Sequence, residues 1–304
     1  MTSQNRLHAF ARTRSERLFD VVNVTLIGMF LLVIIYPLWY VFVASFSDIK
    51  ELLREPMVLW PKGLTFDAYD RILTTPVIWS GFRNSLIYMI GGVTLNVLLT
   101  VLAAYPLSRK DLRGRKTILK ILVLTLYLSG GLIPTYLVVR RLGMLDTFWA
   151  MVAPNAVNAF MIIIARSFFE TAVPNEMQEA GRIDGCSNFQ LLLRVVLPVS
   201  TPLVTFLALS YGIGHWNSYV QALIFLTSRD RFPLQLILRE ILIAADSVTV
   251  ATMLSDRIDY DLQIRIREGI KYVSMVVSSA PLLIIFPFMR KAFERGITLG
   301  AVKG

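Results

Sequence analysis

The chain has 304 residues, 55% of them hydrophobic and 17% charged, at a mean hydropathy of +0.59. That balance excludes a soluble enzyme and a disordered tail, and a single cysteine, Cys186, excludes a disulfide scaffold. The net charge of +10 acquires meaning only from where the charges lie along the chain.

Six uncharged runs of 18 residues or more occur: Val21–Ser47, Asn84–Ser108, Ile121–Val139, Thr147–Ala165, Val195–Ser228 and Tyr272–Met289. At about 1.5 Å of rise per helical residue, each is long enough to cross roughly 30 Å of hydrocarbon. The expected fold class is an all-α membrane protein with six transmembrane helices, at about 21–46, 82–108, 118–139, 147–166, 200–226 and 270–290. The first run follows an arginine-rich start, as a signal peptide would. It is far longer than an h-region of about 7–15 residues and ends in no small-x-small cleavage site, so it reads as a retained span.

Between the first two spans, Asp48–Ser80 carries mixed charge and scattered apolar residues. This predicts short interfacial helices with Trp60 and Tyr69 near the headgroups, and Thr65 capping a helix through Tyr69 to Leu73. Pro198 and Pro202 suit the first turn of the fifth span, where a missing N–H costs little. Residues 229–271 form the longest outer segment, with seven bases balancing seven acids and a helix expected over Leu236–Ala245.

Sorting the loops by side explains the charge. The segments before span one, between spans two and three, between spans four and five, and after span six hold 17 bases and eight acids; the opposite side holds 14 bases and 13 acids. The positive-inside rule therefore places both termini (1–20 and 292–304) and the 109–120 and 166–194 loops in the cytoplasm, around a transmembrane domain over 21–291. Basicity here is topological, and nucleic acid is excluded as a partner.

The loop before span five carries the strongest motif. Pro174, Glu176 and Glu179 favour a helix start, Gly185 a stop, and Phe189, Leu192, Leu193 and Val196 an apolar stripe on a second helix. The result is a cytoplasmic helix–turn–helix over 174–197. At these residues the chain resembles the membrane subunits of ATP-binding-cassette importers, whose motif is EAA, three residues, Gly, nine residues, then an aliphatic residue one before Leu-Pro. Glu179-Ala180-Gly181, Gly185, Val195 and Leu197-Pro198 match that spacing, with Gly181 replacing the second Ala. His215-Trp216-Asn217, Leu223-Ile-Phe-Leu226, Phe232-Pro-Leu-Gln-Leu and the ending from Gly296 resemble the carbohydrate-uptake subfamily that includes the maltose permease.

The resemblance implies a type I importer bundle in a bacterial cytoplasmic membrane. It implies a second permease subunit, two ATPase subunits and an extracytoplasmic solute-binding protein as partners, with a carbohydrate, an oligosaccharide in the first instance, as substrate. It makes Glu179 the ionic anchor on the ATPase, Ala180 and Gly181 the close contact, and Gly185 the turn; Asp184 is either a second charge contact or a cap. No cofactor is expected in this chain, with ATP and Mg held by the partner subunits.

Motor chemistry is missing from the sequence, since no Gly-Lys dipeptide exists to complete a phosphate-cradling loop. No His, Cys and carboxylate cluster suggests a metal. An ion-driven secondary transporter would want acids within the spans, and the six runs contain none; an integral membrane enzyme would want converging titratable groups, and only His215 lies at depth. Polar and aromatic residues within spans are candidates for a sugar path: Tyr127, Asn155, Asn158, His215, Trp216, Asn217 and Tyr219, with Asn96 and Tyr211 of similar chemistry. Each has an equally simple reading as an interhelical hydrogen bond or interfacial anchor. Gly91-Gly92, Gly130-Gly131 and Gly212-Ile-Gly214 are expected to allow close helix approach or to act as hinges.

Overall fold

The computed structural model describes residues 14–54, 58–252, 268–284 and 286–287. The first 13 residues, residues 253–267 of the outer segment, and the tail carrying the Gly296–Gly304 match lie outside the described residues. Every regular element among the described residues is helical. In chain order these are α1 (Arg14–Ser45), α2 (Ile49–Arg54), α3 (Asp67–Leu73), α4 (Pro76–Ser108), α5 (Arg115–Tyr127), α6 (Leu132–Arg141), α7 (Phe148–Val152), α8 (Ala159–Ala172), α9 (Asn175–Ile183), α10 (Asn188–Leu191), α11 (Leu197–Val199), α12 (Thr201–Trp216), α13 (Tyr219–Phe225), α14 (Leu234–Thr252) and α15 (268–284). Among the described residues, two helices are long and apolar enough to cross a membrane unbroken: α1, over Leu18–Ser45, and α4. Three further pairs reach that length only as bent rods: α5 with α6 at 113°, the α7 segment with α8 at 57°, and the α10–α11 segment with α12 at 84°.

The chain divides into two units, Met1–Asp70 with Arg257–Val276, and Arg71–Asp256 with Val277–Gly304. In the first, α1 exposes apolar side chains on every side, among them Phe19, Leu26, Phe30 and Val33, as a helix bathed in lipid does. Only its last turns are buried: Val43 and Ala44 close over Ile49, Leu52 and Val58. Trp39 donates its indole N–H to the Leu59 carbonyl at 2.9 Å, and Phe46 stacks on Tyr69 at 4.8 Å. Thr65 accepts from the Asp67 N–H at 3.3 Å, where the expected cap of α3 was placed.

The second unit is organised on α4. Gly81, Ser85, Tyr88, Gly92, Asn96, Thr100, Ala104 and Ser108 are all buried and mostly recur every four residues, so small and polar groups line one face of the rod. In lipid no hydrophobic force draws helices together, and close backbone approach with polar pairing substitutes for it. A Cβ on Gly81 would lie 2.4 Å from Ile237 Cδ1 of α14, and one on Gly92 would lie 2.3 Å from the His215 ring of α12. Along the same face, Ser85 accepts from the Leu234 N–H (2.9 Å), and Thr100 and Tyr211 share a hydroxyl–hydroxyl bond (2.7 Å). Toward its carboxyl end, Val101, Ala104 and Leu107 join Ile162, Ala165 and Phe169 of α8 and Leu203 and Leu207 of α12 in the main apolar core.

Candidate functional site

Two places concentrate polar chemistry. The first is the turn between α8 and α12. Gly185 has φ +76°, a left-handed conformation that ends α9 and that glycine adopts without strain. Ser187 then opens α10 with a capping box: its hydroxyl accepts from the Gln190 N–H at 3.3 Å, and Gln190 Oε1 accepts from the Ser187 N–H at 2.9 Å. Leu192–Val196 follow as a single π turn. The wider turn slips the register, so the buried residues are Leu191, Leu192 and Val196, while Phe189 and Leu193 of the expected stripe face outward.

Glu179, Ala180, Asp184 and Gly185 are exposed. Gly181 is not: it is buried, and a Cβ there would meet Leu191 Cγ at 3.3 Å, so the departure from Ala serves packing of α9 on α10. The turn is tied to the loop after α4. Arg182 bonds Asp111 at 2.9 Å, and this hydrogen bond leads the effects that hold the Asp111 carboxyl below the usual carboxylate range. Beside it, Glu170 pairs with Arg115 and, at 2.6 Å, with Arg166, while both guanidinium groups donate Nε–H to the Leu107 carbonyl near the end of α4. Cations thus satisfy a helix carboxyl terminus whose carbonyls have no intrahelical partner.

The second place is a cavity of about 480 Å³ with mixed polar and apolar walls, where α5 gives way to α6, α7 to α8 and α12 to α13. Measured from their ends near the basic loops, α5, α8 and α12 are 13, 14 and 16 residues long, so they break about 20, 21 and 24 Å along. The cavity is lined from all three breaks: Ser129 and Gly131, Pro154 and Asn155, Asn217 and Ser218. Gly131 has φ +80° and ψ −179°, open almost only to glycine, and no atom lies within 4 Å of its Cβ position. The Gly130-Gly131 pair is therefore a bend, whereas Gly91 and Gly92 are close approaches, against Phe148 and His215. Backbone freed from helical pairing at membrane depth is tolerated where it lines a wet cavity.

Of the sequence candidates, Asn155 and Asn217 line this cavity. Asn158 caps α8, accepting from the Met161 N–H at 3.2 Å. His215 is buried and bonds Asn96 Oδ1 through Nε2 at 2.9 Å, and Asn96 Nδ2 donates to the Asn155 carbonyl at 2.5 Å. Trp216 is buried too and donates to the Ser278 carbonyl at 2.9 Å. Tyr127 is 81% exposed, and Tyr219 sits 5.8 Å below the Arg239 guanidinium. The structure does not bring these last five into the cavity. It adds Ser129, Thr135, Ser218 and Gln221, whose amide donates to the Ala150 and Met151 carbonyls at 3.1 and 3.0 Å and accepts from Asn155 at 3.3 Å. Their signal in sequence was the helix-breaking content of the spans, the Gly130-Gly131, Pro154-Asn155 and Asn217-Ser218 pairs, more than their polarity.

Beyond the cavity, Asp146 takes a left-handed φ of 56° and joins two loops. Its carboxylate accepts from the Ser228 hydroxyl (2.5 Å) and the Ser228 and Thr227 N–H groups (3.0 and 3.1 Å), with Arg231 at 3.7 Å.

Residues 96–299 match the family model described as "Binding-protein-dependent transport system inner membrane component". The chain is 34% identical to Protein LplC of Bacillus subtilis over 98% of this chain and 99% of that one. It is 35% identical to the polygalacturonan/rhamnogalacturonan transport system permease protein YtcP of the same organism, over 95% and 99%. Among solved structures it superposes, at TM-score 0.80 and 30% identity over 93% of this chain and 99% of the other, on a chain of a bacterial ABC transporter involved in the import of the acidic polysaccharide alginate.

Proposed function

This chain belongs to the binding-protein-dependent transport system inner membrane components, with the all-helical fold of type I ABC importer permeases, and from that premise we propose that it forms one half of the path by which a carbohydrate enters the cell. The observation that carries the reading is full-length likeness to sugar permeases in a chain whose motif turn presents Glu179 outward. A carbohydrate agrees with the polysaccharide transport for which YtcP is named and with a cavity of amides and hydroxyls beside apolar walls, which suits sugar hydroxyls and ring faces.

In this reading α1, α4, α5 with α6, α7 with α8, α12 with α13, and α15 make six crossings with both termini in the cytoplasm. A second permease completes the path, two ATPase subunits bind below, and a solute-binding protein delivers substrate from outside. Glu179 and Ala180, with Asp184 and Gly185 at the turn, seat on a basic groove of the ATPase; Gly181 keeps α9 tight on α10. ATP and Mg belong to the motor subunits. Closure of the motor around ATP pushes 174–197, the 84° joint passes that displacement to α12, and the cavity at the breaks opens outward; hydrolysis resets it. The bias comes from ATP binding the closed motor more tightly than the open one.

The test is affinity purification of the tagged chain from its native membrane in mild detergent, with mass spectrometry of what accompanies it. An ATPase, a second permease and an extracytoplasmic sugar-binding protein are expected. Recovery of the chain alone from a preparation with intact transport activity would overturn the reading.

A further inference from the structure

We propose that the cavity at the three helix breaks accepts an uncharged, hydroxyl-rich saccharide segment and disfavours a uronate. The proposal rests on the reading that this cavity lies on the substrate path, and adds the chemistry of what it admits.

What carries it is a census of charge, donors and acceptors. No described residue lining the cavity is ionisable. Its polar side chains offer both protons and lone pairs. Thr135 donates to the Gly131 carbonyl (2.8 Å) and Ser218 to the His215 carbonyl (2.7 Å), leaving lone pairs. Asn217 Nδ2 donates one proton to the Ile213 carbonyl (3.1 Å) and Asn155 Nδ2 one to Gln221 (3.3 Å), so each amide keeps a second N–H; among the described residues neither Oδ1 accepts a bond. Both Gln221 donor contacts go to α7 carbonyls. The Ser129 hydroxyl, which accepts from the Gly131 N–H at 3.2 Å, keeps a proton to give. Each break also carries one helix carboxyl end and one amino end, so their dipoles oppose and supply no net positive field.

A sugar hydroxyl is both donor and acceptor and matches this mixture of amide and hydroxyl groups. A carboxylate brings a charge that no cation in this lining balances, in a setting where an unpaired charge is costly.

The test uses the intact transporter, purified with its partners and placed in nanodiscs without binding protein. Diazirine-labelled tetrasaccharides are supplied in matched pairs that differ only at C6: gluco, galacto and manno chains against their uronates. After photolysis, labelled peptides of this chain are read by mass spectrometry. The expected result is labelling at 129–135, 154–155 or 214–225 by at least one neutral sugar, about tenfold above its uronate, which corresponds to about 1.4 kcal/mol. Asn217→Arg, which sets a cation at the rim, is expected to remove that preference, and Asn217→Gln to keep it. Equal or stronger labelling by a uronate in the wild type overturns the proposal while leaving the cavity on the path. Labelling by every probe outside these peptides, or by none in a preparation that still transports, overturns the path reading and the proposal with it.

Discussion

Asn96 holds three elements through one amide: its Oδ1 accepts from the His215 Nε2–H on α12, and its Nδ2 donates to the Asn155 carbonyl at the break before α8. Asn96→Leu leaves the buried His215 imidazole without its partner, a loss of about 1–3 kcal/mol, and frees the part-buried Asn155 carbonyl. We expect a lower unfolding temperature of the purified protein in detergent, with the effect absent for Thr94→Val on the exposed side of α4. Gly92→Ala reaches the same junction by crowding: the new methyl falls inside the His215 ring's contact distance, and the expected cost is about 1–3 kcal/mol on the same assay. Asp146 adds a pH dependence. Burial disfavours its charge, but the hydrogen bonds from Ser228 and Thr227 and the charge of Arg231 outweigh burial and hold its carboxyl below the usual range. A depressed folded pKa gives stability that is complete above the unfolded value of about 3.9 and is lost as pH falls through the lower folded value. Wild type should therefore exceed Asp146→Asn in unfolding temperature at pH 5–8, and the gap should close below about pH 4; Asn tolerates the left-handed backbone, so the comparison isolates the charge. These roles were hidden in the sequence because Asn96, His215 and Asp146 meet partners 59, 119 and 82 positions away.

At the scale of elements, punctuation residues decide the shape. The run over 118–139 is apolar enough for one rod, yet Gly131 turns it through 113° because its backbone conformation is one that a Cβ forbids. The turn over 174–197 was legible in outline, since Pro174, Gly185 and the spacing to Leu197-Pro198 act locally. Its buried face was not: an α-helical period places Phe189 and Leu193 inward, and the π turn rotates them out. Gly185→Ala should impose about 1–2 kcal/mol on the left-handed turn and lower transport, while Gly185→Asn, which tolerates that conformation, should restore most of it; uptake by cells with matched expression is the measurement. Glu179→Lys places a positive charge where a basic groove is expected and should abolish coupled uptake while the protein still inserts. Normal uptake at normal expression would refute the anchor role. Arg182→Ala should do less, since its partner Asp111 and its own side chain are about half exposed and such pairs contribute under about 1 kcal/mol.

For the whole molecule, membrane residence, the helical class, the importer family and the existence of a helix–turn–helix before α12 followed from the sequence alone. Each depends on short-range quantities: the length of an uncharged run against the thickness of a bilayer, the side on which arginine and lysine collect, and the spacing of a dozen residues in one loop. Only the tertiary structure decided which polar residues serve packing and which face a cavity. His215, Trp216 and Asn217 are consecutive, but the first two turn inward to Asn96 and the Ser278 carbonyl, and the third lines the cavity with Gln221. Composition cannot separate them, because a buried polar group and a ligand-facing one obey the same rule, that every donor and acceptor at membrane depth finds a partner. The partner's identity is set by three helix breaks that share one cavity, a juxtaposition that appears only when the helices are packed side by side.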